Sequence, residues 1–402
     1  MTSKPFFTTL ELVSDPHDVL QQLPIIPYLP PELLGCVIYH VQCSKTLTTL
    51  AISAAILQEE AERALYRSIW IRTPEDLHSL SSALLKGKRN LGRCNSVRSL
   101  EFGLLEDECH DRNLEDFQNI LSSIPNLTAL RFWTRAQRRG FPLRHPITTV
   151  PYTFQLRTLG IRESDLHPDQ LVQFLESQPS IEVLEMYTLS STPDDSLDLS
   201  ALSSNALPKL SKIAGRVFNV LQLVPGRPVT EVILRDWLEM ARVADVGMAL
   251  ALSSVPACSL KCLISTVAPQ FFVTMGSHVP DLVALDLEVA FSLRGYELAS
   301  IASRVQNMPS LKDLTISGFR TARFAPIAPS PAEDALLFAE RFALRFPSLA
   351  EFTLVSKTDI GKSADCATCV LSKTDGWSVA EEFSVADDDR SSKWKTCVVA
   401  TF

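Results

Sequence analysis

Long apolar runs are what this 402-residue chain most clearly lacks. No stretch approaches the roughly 20 uninterrupted apolar residues that a membrane-spanning helix needs. Even the greasiest region, Val243 to Leu260, is broken by Asp245, Gly247, Ser253, Ser254 and Pro256. The opening Met1-Thr2-Ser3-Lys4-Pro5-Phe6-Phe7 reaches Glu11, Asp15 and Asp18 without an apolar core or a small-residue cleavage pattern, so no secretory signal is read. Excess basic charge is missing too. The formal net charge is −8, which argues against nucleic acid as a partner, because phosphate binding needs a concentrated basic surface. The nine cysteines are odd in number and form no framework. The expectation is reduced thiols in a cytoplasmic or nuclear protein, with Cys258 and Cys262, inside apolar runs, as core filler.

Catalytic constellations are also absent from the sequence. Gly361-Lys362-Ser363 imitates the end of a phosphate loop, but Ser356 stands where that motif needs a glycine. Cys366-Ala367-Thr368-Cys369 has zinc-ligand spacing, and Cys397 offers a third thiolate. With no histidine following and no second close cysteine pair, free cysteines are the simpler reading. His17, His40, His78, His110, His145, His167 and His278 are dispersed, and there is no Gly-x-Ser-x-Gly elbow or His-Glu-x-x-His helix. No catalytic residue, cofactor site or metal ligand is assigned, and the chain is expected not to be an enzyme. An enzyme reading would need a pocket of converging ionisable groups.

A short pattern recurs instead: an apolar residue, another three later, and another two after that. It reads Leu127-Leu130-Phe132, Leu156-Leu159-Ile161, Ile181-Leu184-Met186, Leu282-Leu285-Leu287, Leu311-Leu314-Ile316 and Leu349-Phe352-Leu354. Val97-Leu100-Phe102 and Val229-Val232-Leu234 fit as well, and Leu210-Ile213 and Leu260-Leu263 are degenerate copies. Residues two apart share one face of a strand, so each unit predicts a short β-strand with one buried face. Most steps between units are 22 to 31 residues, with one of 19 and one of 38. That period suits leucine-rich repeats and is short for most other arrays.

Between the strands the spacing turns helical. Leu114, Phe117, Ile120, Leu121 and Ile124 precede Pro125; Leu171, Phe174 and Leu175 precede Pro179; Leu298, Ile301 and Val305 precede Pro309; Leu337, Ala339, Phe342 and Phe346 precede Pro347. Each unit thus reads as helix, proline-bounded turn, strand. One unit cannot bury its apolar face alone, but a stack can. The competing architecture is a doubly wound α/β domain, whose strands would be continuous apolar runs. Here Glu101, Arg131, Glu185, Asp286 and Thr315 occupy the middle positions, facing outward on an open sheet surface. They favour an α/β solenoid of about ten irregular repeats, with an insertion marked by Pro326, Pro329 and Pro331.

Residues 27 to 71 read differently. Pro30 and Pro31 favour a helix start and Glu32 suits its positive end. Leu33, Leu34, Val37, Ile38 and Val41 form one apolar face before a polar break at Gln42 to Lys45. A second helix carries Leu47, Leu50, Ala51 and Ala54, and a third is expected from Glu59 to Tyr66. Three such helices bury little on their own. They either cap the solenoid or leave an apolar face for another protein. Leu29-Pro30-Pro31-Glu32-Leu33-Leu34, Val37-Ile38, Leu47-x-x-Leu50-Ala51 and Leu65-Tyr66-Arg67-Ser68-Ile69 resemble an F-box. With the downstream repeats, the chain resembles the F-box/leucine-rich-repeat proteins, particularly the divergent ones numerous in fungi. The Cys-Arg-x-Trp stretch common in F-boxes is replaced by Ser53-Ala54-Ala55-Ile56-Leu57. The resemblance implies a substrate-recognition subunit of an SCF-type (cullin-RING) ubiquitin ligase, docked on a Skp-type adaptor and through it on the cullin scaffold. By position, Leu29, Pro30, Leu33, Leu34, Ile38, Leu47 and Leu50 would face the adaptor, and the repeats would hold an unidentified substrate protein. The rival is a stand-alone interaction scaffold unrelated to ubiquitin.

The expected organisation is an N-terminal tail over 1–25, the F-box-like module over 26–72, the solenoid over 73–356 and a C-terminal cap or tail over 357–402. Two basic clusters, Lys86 to Arg93 and Arg135 to His145, suit either solvated loops or an acidic or phosphorylated partner. Trp377 and Trp394, with Val379, Phe383 and Val385 between them, suggest a small β cap, and Asp387-Asp388-Asp389 a turn.

Overall fold

The computed structural model describes residues 30–86, 89–103, 111–132, 152–162, 167–187, 197–265, 267–289, 308–319, 339–360, 363–373 and 377–385. The chain divides into two compact units, Met1–Tyr66 and Arg67–Phe402.

Three helices make up the described part of the first unit: α1 (Pro31–Tyr39), α2 (Ser44–Ser53) and α3 (Ala55–Arg67). Pro31 opens α1 where a missing N–H costs nothing, and the Pro30 carbonyl accepts from the Leu33 and Leu34 amides at 3.0 and 3.1 Å. Ala54, assigned by the sequence to the second helix, is instead an extended residue (φ −153°, ψ 138°) separating α2 from α3. As a result α3 begins at Ala55, earlier than the expected Glu59. The buried centre is small: Ile38, Leu47 and Ala61, with Val41, Leu50, Ala51, Leu57, Ala64 and Leu65 packed around it.

In the second unit β1 (Ser68–Ile71) leads into α4 (Pro74–Leu85), α5 (Asn90–Ser96), β2 (Ser99–Phe102), α6 (Asp111–Ser123) and β3 (Ala129–Phe132). Next come β4 (Thr158–Arg162), α7 (Pro168–Ser177), β5 (Val183–Tyr187), β6 (Lys212–Gly215), α8 (Val217–Leu223) and β7 (Glu231–Leu238). After these follow α9 (Val243–Ala251), β8 (Ser259–Ile264), α10 (Pro269–His278), β9 (Ala284–Val289) and β10 (Asp313–Phe319). A helical segment at 339–343 precedes β11 (Glu351–Ile360), β12 (Ser363–Lys373) and β13 (Trp377–Val385). All thirteen strands form one sheet in strict sequence order. Neighbours are parallel from β1 to β11, and β12 and β13 add on antiparallel.

That order decides the architecture. A doubly wound sheet reverses its strand order at a switch point, whereas here each unit sits beside the one before it, as in a repeat stack. In-register Leu100, Leu130, Leu159, Leu184, Ile213, Val232, Leu260, Leu285 and Leu314 form one row across the sheet, all with side chains fully or almost fully buried. The helices close over this face: Phe117 of α6 meets Phe102 and Phe132, with ring centroids 4.1 and 5.7 Å away. Full burial of each such side chain is worth about 1.5–3 kcal/mol. Prolines 125, 179, 309 and 347 all sit in the turns before strands, as expected.

Those turns repeat as well. The Arg98 carbonyl accepts from the Thr128 and Ala129 amides, Thr230 from Cys258 and Ser259, and Val283 from Lys312 and Asp313. The hydroxyls of Thr128, Ser211 and Thr230 each donate to the carbonyl of the preceding turn, at 3.0 to 3.2 Å. Irregular steps between repeats are absorbed outside this ladder.

Three expectations need correction. The parallel run begins one strand early: Ser68–Ile71, read with the F-box-like stretch, pairs with Ser99–Phe102. The β8 triad is Ala257-Leu260-Cys262, all buried, and not a degenerate Leu260-Leu263; Leu260 and Cys262 align with Leu285 and Leu287. Cys262 is core, as expected, but Cys258 is exposed. Cys366 and Cys369 stand inside β12, where their backbones pair with β11 and β13. The Leu298-Ile301-Val305 helix lies outside the described residues.

Candidate functional site

Two surfaces stand out, one in each unit. In α1 the apolar residues form two stripes. Ile38 is core and only 3% exposed, Leu34 one turn before it is half-buried and Val41, just past the helix, packs against the core, while Leu33 and Val37, one turn apart, remain 50% and 59% exposed. A nine-residue helix presents successive residues about 100° apart, so Leu33 and Leu34 cannot share the same cover. Ile52 of α2 and Ile56 of α3 are likewise exposed. Of the residues assigned by position to adaptor contact, Pro30 and Leu33 are exposed, Leu34 and Leu50 half-buried, and Ile38 and Leu47 are core. Leu29 lies outside the described residues.

The second surface is the open face of the sheet, opposite the leucine row. Three residues placed there by the sequence meet: Arg131 of β3 donates to Glu101 of β2 at 3.2 Å and to Glu185 of β5 at 3.0 Å. Reaching β5 means crossing β4, and the residue crossed is Gly160, where a Cβ would lie 2.9 Å from Arg131 Cγ. Burial opposes the Arg131 charge, but the bonds and charges of Glu185 and Glu101 outweigh it and strengthen its hold on its proton. Tyr187 donates its hydroxyl to Glu185 at 2.8 Å, and the Arg235 guanidinium lies 5.3 Å from the Tyr187 ring centroid. Burial, then the Glu185 bond and charge, push the Tyr187 phenol well above its usual pKa, so it stays a donor at neutral pH. At the first strand, Arg72 stacks over the exposed Trp70 ring at 3.7 Å. Asp286 pairs separately with Lys261 of β8, and Thr315 lies beside Asp286 in register.

No family model matches the sequence, and no curated protein matches it. Among solved structures, the chain is similar to a protein from Bacteroides fragilis at TM-score 0.31 and 11% identity, over 71% of this chain and 66% of that one, just under two thirds of its length. It is also similar to the crystal structure of the Rad7 and Elc1 complex in yeast, at TM-score 0.39 and 12% identity, over 83% of this chain and 84% of that one. At such low scores neither likeness transfers a role.

Gly160, Tyr187 and Arg235 were not singled out from the sequence, although the middle-position rule that found Glu101, Arg131 and Glu185 also points to Gly160. Of the basic clusters, Lys86 and Arg89 flank helix ends and Arg93 reaches the Ala83 carbonyl at 3.4 Å, while Arg135 to His145 lie outside the described residues. Among the described residues, no group of three or more His, Cys, Asp or Glu is placed to hold a metal ion, and no helix is long and apolar enough to cross a membrane.

Proposed function

We propose that this chain is a non-catalytic recognition protein, the substrate-binding subunit of an SCF-type ubiquitin ligase. Its helical module docks on a Skp-type adaptor and its repeat unit holds the substrate. The observation that supports this most is the split of α1. Ile38 anchors a core of the module's own, while Leu33 and Val37 stay exposed, as does Ile52 at 81%. Exposed apolar residues concentrated on so small a module mark a surface that another protein covers. Catalysis is by proximity: the module fixes the chain to the ligase scaffold, and the repeats bring substrate lysines near the charged E2 enzyme. No side chain here performs bond chemistry.

The test is co-purification with a Skp-type adaptor, comparing wild type with Leu33→Asp/Val37→Asp. Both positions are exposed, so the variant keeps its fold, which circular dichroism checks. Capture by wild type and its loss in the folded double variant is the expected result. Absence of wild-type capture would instead leave a scaffold outside the ubiquitin system.

A further inference from the structure

The loops that precede β6, β7, β8 and β9 are tied to one another differently at each step. Between the β6 and β7 repeats the tie is Arg227. Its buried guanidinium donates to the Ser203 and Ala206 carbonyls ahead of β6 and to the Gln222 and Leu223 carbonyls at the end of α8. Between the β7 and β8 repeats, the Gly226 amide donates to the Leu252 carbonyl, and the Ser254 amide and Ser253 hydroxyl donate to the Arg227 carbonyl. Between the β8 and β9 repeats, residues 250–257 and 278–281 share no hydrogen bond among the described residues. A cavity of about 210 Å³, open to solvent, stands there instead.

Strand register relates this cavity to the Arg227 step. Ile213, Val232, Leu260 and Leu285 are in register across β6 to β9. Counted back from them, Pro280 stands where Arg227 does, five residues ahead, and Leu250 and Ser253 stand where Ser203 and Ala206 do, ten and seven ahead. Leu250, Ser253 and Pro280 all line the cavity. A proline there reaches nothing on the neighbouring loop, so the acceptors remain and the donor is missing. Among the described residues, the Ala251 and Ser253 carbonyls accept no hydrogen bond, and the Asp281 carboxylate at the rim has no polar partner. Both α9 and α10 end at the cavity, which adds the partial negative charge of two helix C-termini. His278 is the one basic side chain in the lining, and it packs against Gly247, where a Cβ would lie 3.0 Å from its ring. Val255 and Pro256 give the wall an apolar stretch suited to an aliphatic stem. The space exceeds the roughly 150 Å³ that accommodates a benzene ring, so a planar guanidinium fits.

We infer that this cavity takes an arginine side chain from a partner protein, in the way the preceding step takes Arg227 from the chain itself. Lysine suits it less, because a compact ammonium lacks the planar fork that bonds acceptors on two loops at once. The inference goes beyond the proposed function and does not depend on adaptor binding.

NMR of the full chain with isotope-labelled alanine methyls tests it, since Ala251 and Ala257 both line the cavity. The probe is Nα-acetyl-arginine methylamide; the controls are its lysine and citrulline analogues, the latter uncharged and of the same shape. Both methyl signals should shift with the arginine probe at half-saturation of about 5 mM, about fivefold more tightly than with lysine, and not with citrulline. Asp281→Asn, at an exposed position, should keep the wild-type melting temperature and weaken the arginine probe about fivefold. Pro280→Arg should abolish the response, because the chain's own guanidinium then fills the slot. Equal response to arginine and citrulline, lysine binding as tightly as arginine, or wild-type binding in either variant overturns the inference. So does the absence of any shift at about 50 mM probe. Adaptor co-purification of the wild-type chain, run alongside, keeps the readings apart: capture without a methyl response sinks this inference alone, and a response without capture sinks the ligase reading alone.

Discussion

The two units of this protein bury apolar surface in opposite ways. Among the described residues, the helical module gathers its core around three buried residues, Ile38, Leu47 and Ala61, and leaves comparable apolar side chains outside. The repeat unit runs a continuous row of buried leucines and their equivalents from strand to strand, so each strand from β2 to β10 is flanked on both sides by a parallel strand of the same kind. A stack can lengthen without changing its core, because each repeat needs only its neighbours. Three short helices bury little on their own, and domains of that size are marginal without a partner or a staple. The contrast is between a core that runs from strand to strand and one confined to a few residues.

The sharpest way to break this comparison is to cut the same kind of group from each core. Leu184→Ala, in the middle of the leucine row, should cost about 4 kcal/mol, because the rigid stack on both sides cannot collapse into the cavity. Ile38→Ala should cost about 2.5 kcal/mol, since a small core with half-exposed walls relaxes into the space. Denaturant unfolding followed by a probe in each unit reads both. The expected outcome is a midpoint shift confined to the unit that was cut. Coincident shifts in both units for either variant would show that the module is no separate body.

Much of the repeat unit was legible because its information is local. A strand with one buried face writes an apolar residue at every second position, and Leu130-Phe132 or Leu285-Leu287 cannot be read otherwise. The same locality explains the failure at β8, where Leu263 is the more obvious apolar residue but Cys262 holds the inward position. It also explains β1, whose Ile69 and Ile71 lie in a stretch that resembles the end of an F-box. On the open face, Glu101, Arg131 and Glu185 could be placed from their middle positions. Arg235 could not be tied to Tyr187, since their meeting depends on which strands are neighbours. In α1, the apolar residues were legible as a set, but which of the two stripes faces inward depends on the packing of α2 and α3.

Arginine gives a finer comparison, and Arg227 is its buried case. The residue is 3% exposed, and its guanidinium donates to the carbonyls of Ser203 at 2.8 Å, Ala206 at 2.9 Å and Leu223 at 3.0 Å. All these partners are backbone, so no sequence pattern announces them. Burial also lowers its pKa, a sign that the charge is held where water would hold it better. Arg227→Met keeps the volume but leaves those carbonyls without their donor, which should destabilise the repeat unit by about 3 kcal/mol. Thermal unfolding checks this, and a loss under about 1 kcal/mol would mean that water replaces the guanidinium at little cost.

Arg63 of the module also makes several polar contacts, and the expected result is almost the reverse. It reaches Glu60 at 2.7 Å and Glu59 at 3.1 Å, but its side chain is half exposed and Glu59 is mostly in solvent. Pairs of this kind on a helix surface contribute about 0.5 kcal/mol or less, because water and salt screen them and the ordered side chains lose entropy. Arg63→Ala should therefore shift the module's midpoint by no more than this, and the shift should vanish at about 1 M salt. A salt-independent loss several times larger would mean that Arg63 is shielded from water, and that the module holds more of its stability in polar contacts than its small apolar core implies. In that case the exposed Leu33 and Val37 would be the surplus of a self-sufficient fold, and the case for a covering partner would weaken with them.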